Sequence, residues 1–118
     1  MMVSYWKIRY LPNILILTYE DTQQDLKGTL KKIAKFLNKS PNDELLQKMC
    51  DHLSFDSMQK NDSVNFSQHP ALKGKFIRQG KVGSWKADFT EAVSAEIERF
   101  YAPVIKEFGL PIRYSLND

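Results

Sequence analysis

Apolar positions in this chain fall into two rhythms, and the change between them marks the predicted elements. Residues 3 to 10 read as the end of a helix, with Trp6 and Tyr10 four apart on one face and Pro12 beyond. From Asn13 the run NILILTYED is continuously apolar at its core and bounded by Pro12-Asn13 and by charges, the pattern of a strand buried on both faces. Thr22 with Asp25 resembles a capping box, and Leu26, Leu30, Ile33, Phe36 and Leu37 then recur at helical spacing, predicting a helix over 23–37. Ser40, Pro41 and Asp43 supply a second start signal, for a helix burying Leu45, Leu46, Met49 and Leu53. A short helical turn is predicted over 54–60 and a long polar loop over 61–83, which holds three of the five glycines. Thr90 caps a last helix carrying Val93, Ile97, Phe100, Tyr101, Val104, Ile105 and Phe108, with Pro103 expected to kink it and Gly109 to end it.

One strong strand and four helices make an incomplete inventory. A buried parallel strand needs neighbours to satisfy its N–H and C=O groups, and the sequence offers no convincing second one. Either the chain is a piece of a larger α/β domain, the favoured expectation, or the apolar run pairs with a partner chain. At 118 residues, 42% hydrophobic and 26% charged, the chain has the size and make-up of one modest folded domain. Its longest apolar run, Ile14 to Leu17, is far short of the roughly 20 residues that cross a bilayer, and its start lacks the features of a secretory signal. A single cysteine, Cys50, excludes an internal disulfide and fits a reducing, cytoplasmic setting; at helical spacing from Leu46 it reads as a small buried hydrophobe.

Charge sharpens the picture once its position is considered. The net +3 arises from 17 basic and 14 acidic side chains, and Lys73, Lys75, Arg78, Lys81 and Lys86 lie in a stretch without any acid. Setting those five aside leaves 12 basic against the 14 acidic side chains, a balance of −2. The basicity is therefore read as local, pointing to one anionic ligand at one loop. Within KFIRQGKVGSWK, Gly80 and Gly83 allow close backbone approach, successive N–H groups can form an anion nest, and Arg78 offers a planar fork for phosphate. Composition alone fits a solvated basic loop equally well.

The same residues resemble a known family, the cytosolic sulfotransferases, which move a sulfuryl group from 3'-phosphoadenosine 5'-phosphosulfate (PAPS). That family ends with R-K-G-x-x-G-D-W-K; here Arg78, Gly80, Gly83, Trp85 and Lys86 match, five of its seven specified positions. The likeness extends through LPNILILTYED at 11–21, LSFDSMQKN at 53–61 and the helices between. It implies the C-terminal part of a P-loop-NTPase-like α/β fold, a parallel sheet flanked by helices, mostly helical in this chain and forming one portion of a single domain over 1–118. It assigns the cofactor contacts to Tyr19, Ser54, Phe55, Met58, Phe76, Ile77, Arg78, Gln79 and Gly80. Arg78 and Gly80 would take the 3'-phosphate, Phe55 with Met58 the adenine, and Tyr19 the end of a buried strand, where open α/β sheets bind ligands.

Departures from the pattern shape the functional expectation. Gln79 stands where the family has lysine, Leu53 where it has threonine and Ser84 where it has aspartate; Lys81 is placed to replace part of the missing charge. The dimer motif K-x-x-x-T-V-x-x-x-E begins with Lys86 and Thr90 but continues with Glu91 and Ala95, so a homodimer through it is possible only in degraded form. No GxxxxGK[ST] loop occurs, and His52 and His69 stand in no matching motif, so both read as surface or structural histidines and no catalytic residue is assigned. Glu20 and Asp21 read as capping and ion-pairing groups rather than metal ligands, and the 61–76 segment resembles the family's lid. The resemblance implies an enzyme that sulfates an alcohol, phenol or amine of a small acceptor and releases PAP. This chain would hold the donor's handle and be inert alone. A non-catalytic PAP-binding module is the alternative. Nucleic-acid binding is disfavoured by the lack of a basic helix or aromatic-studded sheet.

Overall fold

In the computed structural model, residues 2–65 and 80–113 are described. The chain divides into two compact units, one of Met1–Asp25 with Val82–Asp118 and the other of Leu26–Lys81.

The first unit opens with α1, Met2–Lys7, and closes with α7, Glu91–Phe108. They are joined where the Trp6 indole Nε1 donates to the Phe108 carbonyl at 2.7 Å and the Lys7 ammonium stands 4.9 Å from the Phe108 ring centre. Thr90 begins α7 as expected, its hydroxyl accepting from Val93 N at 3.3 Å. The helix continues through Pro103 and ends at Gly109, whose left-handed φ of 58° is the conformation glycine adopts without a Cβ penalty. Its predicted apolar stripe is not a core here: Phe100 is 74% and Tyr101 53% exposed.

The predicted strand is corrected. Residues 14–18 are not helical, yet no strand forms among the described residues, because a strand is defined by its ladder and no second extended segment pairs with this one. The run also ends sooner than expected. Thr18, extended at φ −99° and ψ 149°, accepts from Asp21 N at 3.1 Å and thereby starts α2, Tyr19–Gln24, so Tyr19 to Asp21 are helical. The Thr22 hydroxyl donates to the Thr18 carbonyl at 3.0 Å within α2 rather than capping the following helix. Asp21 forms the ion pair expected of it, while Thr18 does the capping: Arg113 reaches the Asp21 carboxylate at 2.9 Å and fastens residues 110–113 to the start of α2.

The second unit is a run of packed helices: α3 (Leu26–Phe36), α4 (Asp43–His52), α5 (Phe55–Gln59) and α6 (Asp62–Asn65). Each packs on the next. α3 starts three residues later than predicted, and α4 is capped by Asn42, whose Oδ1 accepts from Leu45 N at 2.8 Å, rather than by Ser40. Asparagine holds the position directly before the first turn, with Asp43 and Glu44 inside it where the helix dipole favours acids. α6 occupies the start of the expected loop, where Asn61 Oδ1 accepts from Ser63 N at 3.0 Å. Among the described residues only Leu30 and Leu46 are buried hydrophobics, with 6% and 3% exposure; Phe36 and Leu37 lie open, and Cys50 is half-buried rather than buried.

Because α3 and α4 rest on so few buried side chains, Leu46→Ala should cost about 2–4 kcal/mol and erase amide protection in both helices. Hydrogen exchange of the 118-residue chain reads this directly, and unchanged protection of α3 would contradict the packing.

Candidate functional site

Four of the sequence-assigned residues fall together in the second unit. Ser54 caps α5, with its Oγ accepting from Ser57 N at 3.3 Å and lying 2.9 Å from both the Asp51 carbonyl and the Ser57 hydroxyl. Ser57 in turn donates to Asp51 O at 2.7 Å. The Ser54 hydroxyl proton is thus committed within the chain, and its work here is to start the helix whose first residue is Phe55. Met58 lies one turn along α5, half-buried like Phe55. Its carbonyl accepts from Asn65 Nδ2 at 3.3 Å, and the same amide also reaches Gln59 O, which ties α6 to α5.

Gly80 closes on this pair. A Cβ built there would stand 2.1 Å from Phe55 Cδ2 and 2.4 Å from Cε2, and φ is +61°. Both facts demand glycine: one forbids any side chain on steric grounds, the other favours a residue lacking a Cβ. The backbone at the mouth of the basic loop therefore touches the edge of the aromatic ring, while the half-buried ring keeps surface to offer. A π-face beside a glycine backbone can take a flat heterocycle with a polar group at its edge. Gly83 has a similar turn geometry, φ 82°, and leads into a 3₁₀ turn over Ser84–Ala87.

Phe76, Ile77, Arg78 and Gln79 lie outside the described residues, as does His69. Tyr19 belongs to the first unit, half exposed at the start of α2. There it lines an apolar groove of about 600 Å³ with Tyr5, Trp6, Leu15, Leu17 and Ile112. His52 is exposed in the last turn of α4. No group of three or more His, Cys, Asp or Glu fit to hold a metal occurs among the described residues. Nor is any helix there long and apolar enough to cross a membrane. Sequence reasoning missed Ser57 and Asn65, which lock α5 in place. The S-x-x-S spacing of 54 and 57, and Asn61 ahead of Asp62, were the available signals.

Comparison with known proteins places this geometry in context. The sulfotransferase domain model matches residues 1–109. Human sulfotransferase 1E1 is 32% identical over 115 residues, covering 93% of this chain and 39% of its own length. Dog sulfotransferase 1B1 is 39% identical over 103 residues, covering 83% and 35%. The chain thus spans about two fifths of the length of these relatives. Among solved structures, retinol dehydratase with retinol and PAP superposes with a TM-score of 0.82 at 35% identity over 93% of this chain and 33% of that one. A mouse sulfotransferase complexed with PAP gives 0.74 at 26% identity, over 88% and 39%.

The Gly80–Phe55 contact makes a thermodynamic prediction. Gly80→Ala should destabilise the second unit by about 1–3 kcal/mol, and by clearly less in a Phe55→Ala background, since the ring is what the new methyl meets. Denaturant titration of the four members of that cycle tests it; strictly additive costs would show that the ring and the glycine are not in contact.

Proposed function

The chain belongs to the sulfotransferase domain family, and from that premise we propose that it supplies the adenine and 3'-phosphate contacts of a PAPS-dependent sulfotransferase. The reading makes it the C-terminal portion of one α/β domain, whose sheet and phosphate loop involve further residues. The observation that carries it is the seating of Gly80 against the Phe55 ring, because a base-stacking side chain and a phosphate-binding loop serve one nucleotide only if they meet. PAP bound to structural relatives of 35% and 26% identity supports the same ligand here.

Each residue has a task in this reading. Phe55 stacks on adenine and Met58 fills beside it, since thioethers pack well on aromatic rings. Arg78 grips the 3'-phosphate with its planar fork, Gly80 lets backbone N–H groups approach the same oxygens, and Lys81, exposed in the structure, adds the charge that Gln79 lacks. Phe76 and Ile77 flank the loop, Ser54 starts α5, and Tyr19 stands at the end of the extended run. In the complete reaction the acceptor oxygen or nitrogen forms a bond to sulfur as the bond from sulfur to the PAP oxygen breaks. The acceptor's proton goes to a base, and PAP carries away the electron pair. No residue described in this chain is assigned as that base. The acceptor is a small alcohol, phenol or amine, and the setting is cytoplasmic. A chain that binds PAP without turning over is the second reading, favoured by the absence of a GxxxxGK[ST] loop from the sequence.

Calorimetric titration with PAP tests the proposal without requiring turnover. Phe55→Ala should weaken binding roughly tenfold, on the scale of one lost base–aromatic stack. Arg78→Ala should weaken it by about tenfold or more, and Lys81→Ala by less and mainly at low salt. Absence of heat from the parent chain at millimolar PAP would sink the nucleotide-handle reading. Sulfation of a phenol by the chain alone would overturn the assignment of the base to residues elsewhere.

A further inference from the structure

We propose that the groove between the C-terminal half of α3 and the start of α4 binds an extended acidic peptide segment. It is independent of the nucleotide site. Between Asp25 and Asp43 the chain holds five lysines and no acid, a second basic run besides that of residues 73–86. Lys27 is neutralised by Asp43 at 3.3 Å. Lys31, Lys35 and Lys39 carry no ion pair among the described residues, and all three line one groove of about 420 Å³, together with Ala34, Pro41 and buried Leu46.

The spacing of these cations selects the shape of the partner. Lys31 and Lys35, four apart on α3, are separated by about 6 Å along the helix axis. An extended chain shows side chains on one face every 6.6 Å or so, so alternate carboxylates meet successive lysines. Lys39, which follows the left-handed Asn38 after α3, faces the same groove, and Ala34 and Pro41 offer an apolar surface to a residue between the acids. A nucleic-acid backbone or a flat anionic bilayer fits less well. Either presents a continuous anionic surface that would also cover Asp43, which lines the groove paired with Lys27, and Glu44, paired with Lys48, whereas a short peptide can follow Lys31, Lys35 and Lys39 alone.

The test uses the full 118-residue chain and a fluorescein-labelled Glu-Ser-Glu-Leu-Glu peptide, read by anisotropy at low ionic strength. K31Q/K35Q/K39Q should weaken binding about tenfold, while the control K32Q/K106Q changes it less than about twofold. K35Q alone should give an intermediate loss, and circular dichroism checks that helix content is retained. An isomer with its three glutamates contiguous should bind more weakly than the alternating peptide. Equal loss in the control, or equal affinity for the contiguous isomer, would reduce the effect to unspecific attraction and overturn the proposal. Displacement of the peptide by phosphatidylserine vesicles, with vesicle binding abolished by the triple variant, would assign the groove to lipid and overturn it as well. Unchanged PAP affinity in the triple variant separates this groove from the nucleotide site.

Discussion

A buried extended run must find partners for its N–H and C=O groups, and the apolar run at 14–17 pairs with no other extended segment among the described residues. That requirement explains most of what is unusual in this chain. Leu15, Ile16 and Leu17 stand 36–39% exposed, at odds with side chains selected for burial on both faces. They line, with Trp6 and Ile112, an open apolar groove. The exposed Phe100 and Tyr101 of α7 tell the same story for a helix whose Thr90 and Gly109 caps are nonetheless fully formed. Local signals, which act within a turn, are satisfied; the long-range ones that bury surface are the ones left open.

The contact between Gly80 and Phe55 rests on shorter-range interactions. Its ring sits on a five-residue helix started by Ser54, locked by Ser57 and Asp51 and braced by Asn65 of the next helix. All these bonds are made within one stretch of the chain. A glycine backbone pressed on the ring then fixes the distance between α5 and the chain around Gly80 more firmly than flexible side chains would.

How much of this was readable beforehand follows the range of each interaction. Thr90, Gly109 and the existence of four main helices were legible because caps and amphipathic periods act over a few residues. The identity of the α4 cap was not, since Ser40 and Asn42 are both good N-caps, and the choice depends on where α4 starts against α3. The strand read from the apolar run at 13–21 finds no ladder among the described residues. Apolar continuity says that a segment wants two covered faces, not that a ladder exists. At the site, the motif R-x-G-x-x-G-x-W-K led to Gly80, and S-F-x-x-M led to Phe55 and Met58. Their direct contact could not be inferred, because no local rule connects positions 25 apart in the chain.

Charge carries a similar lesson about scale. A net of +3 conceals two acid-free basic runs, 27–39 and 73–86, set against an otherwise acidic chain. The two differ in what accompanies the cations. At the loop, the positive φ of Gly80 lets the backbone turn an N–H group toward a compact anion. On α3 the N–H groups are consumed by the helix, leaving lysine ammonium groups on flexible stems spaced along an axis. Such a row attracts carboxylates singly and rewards a ligand whose charges repeat at the same interval. The conformation of the backbone beneath the cations, more than their number, therefore decides whether a basic segment grips one phosphate or lies along a chain of carboxylates.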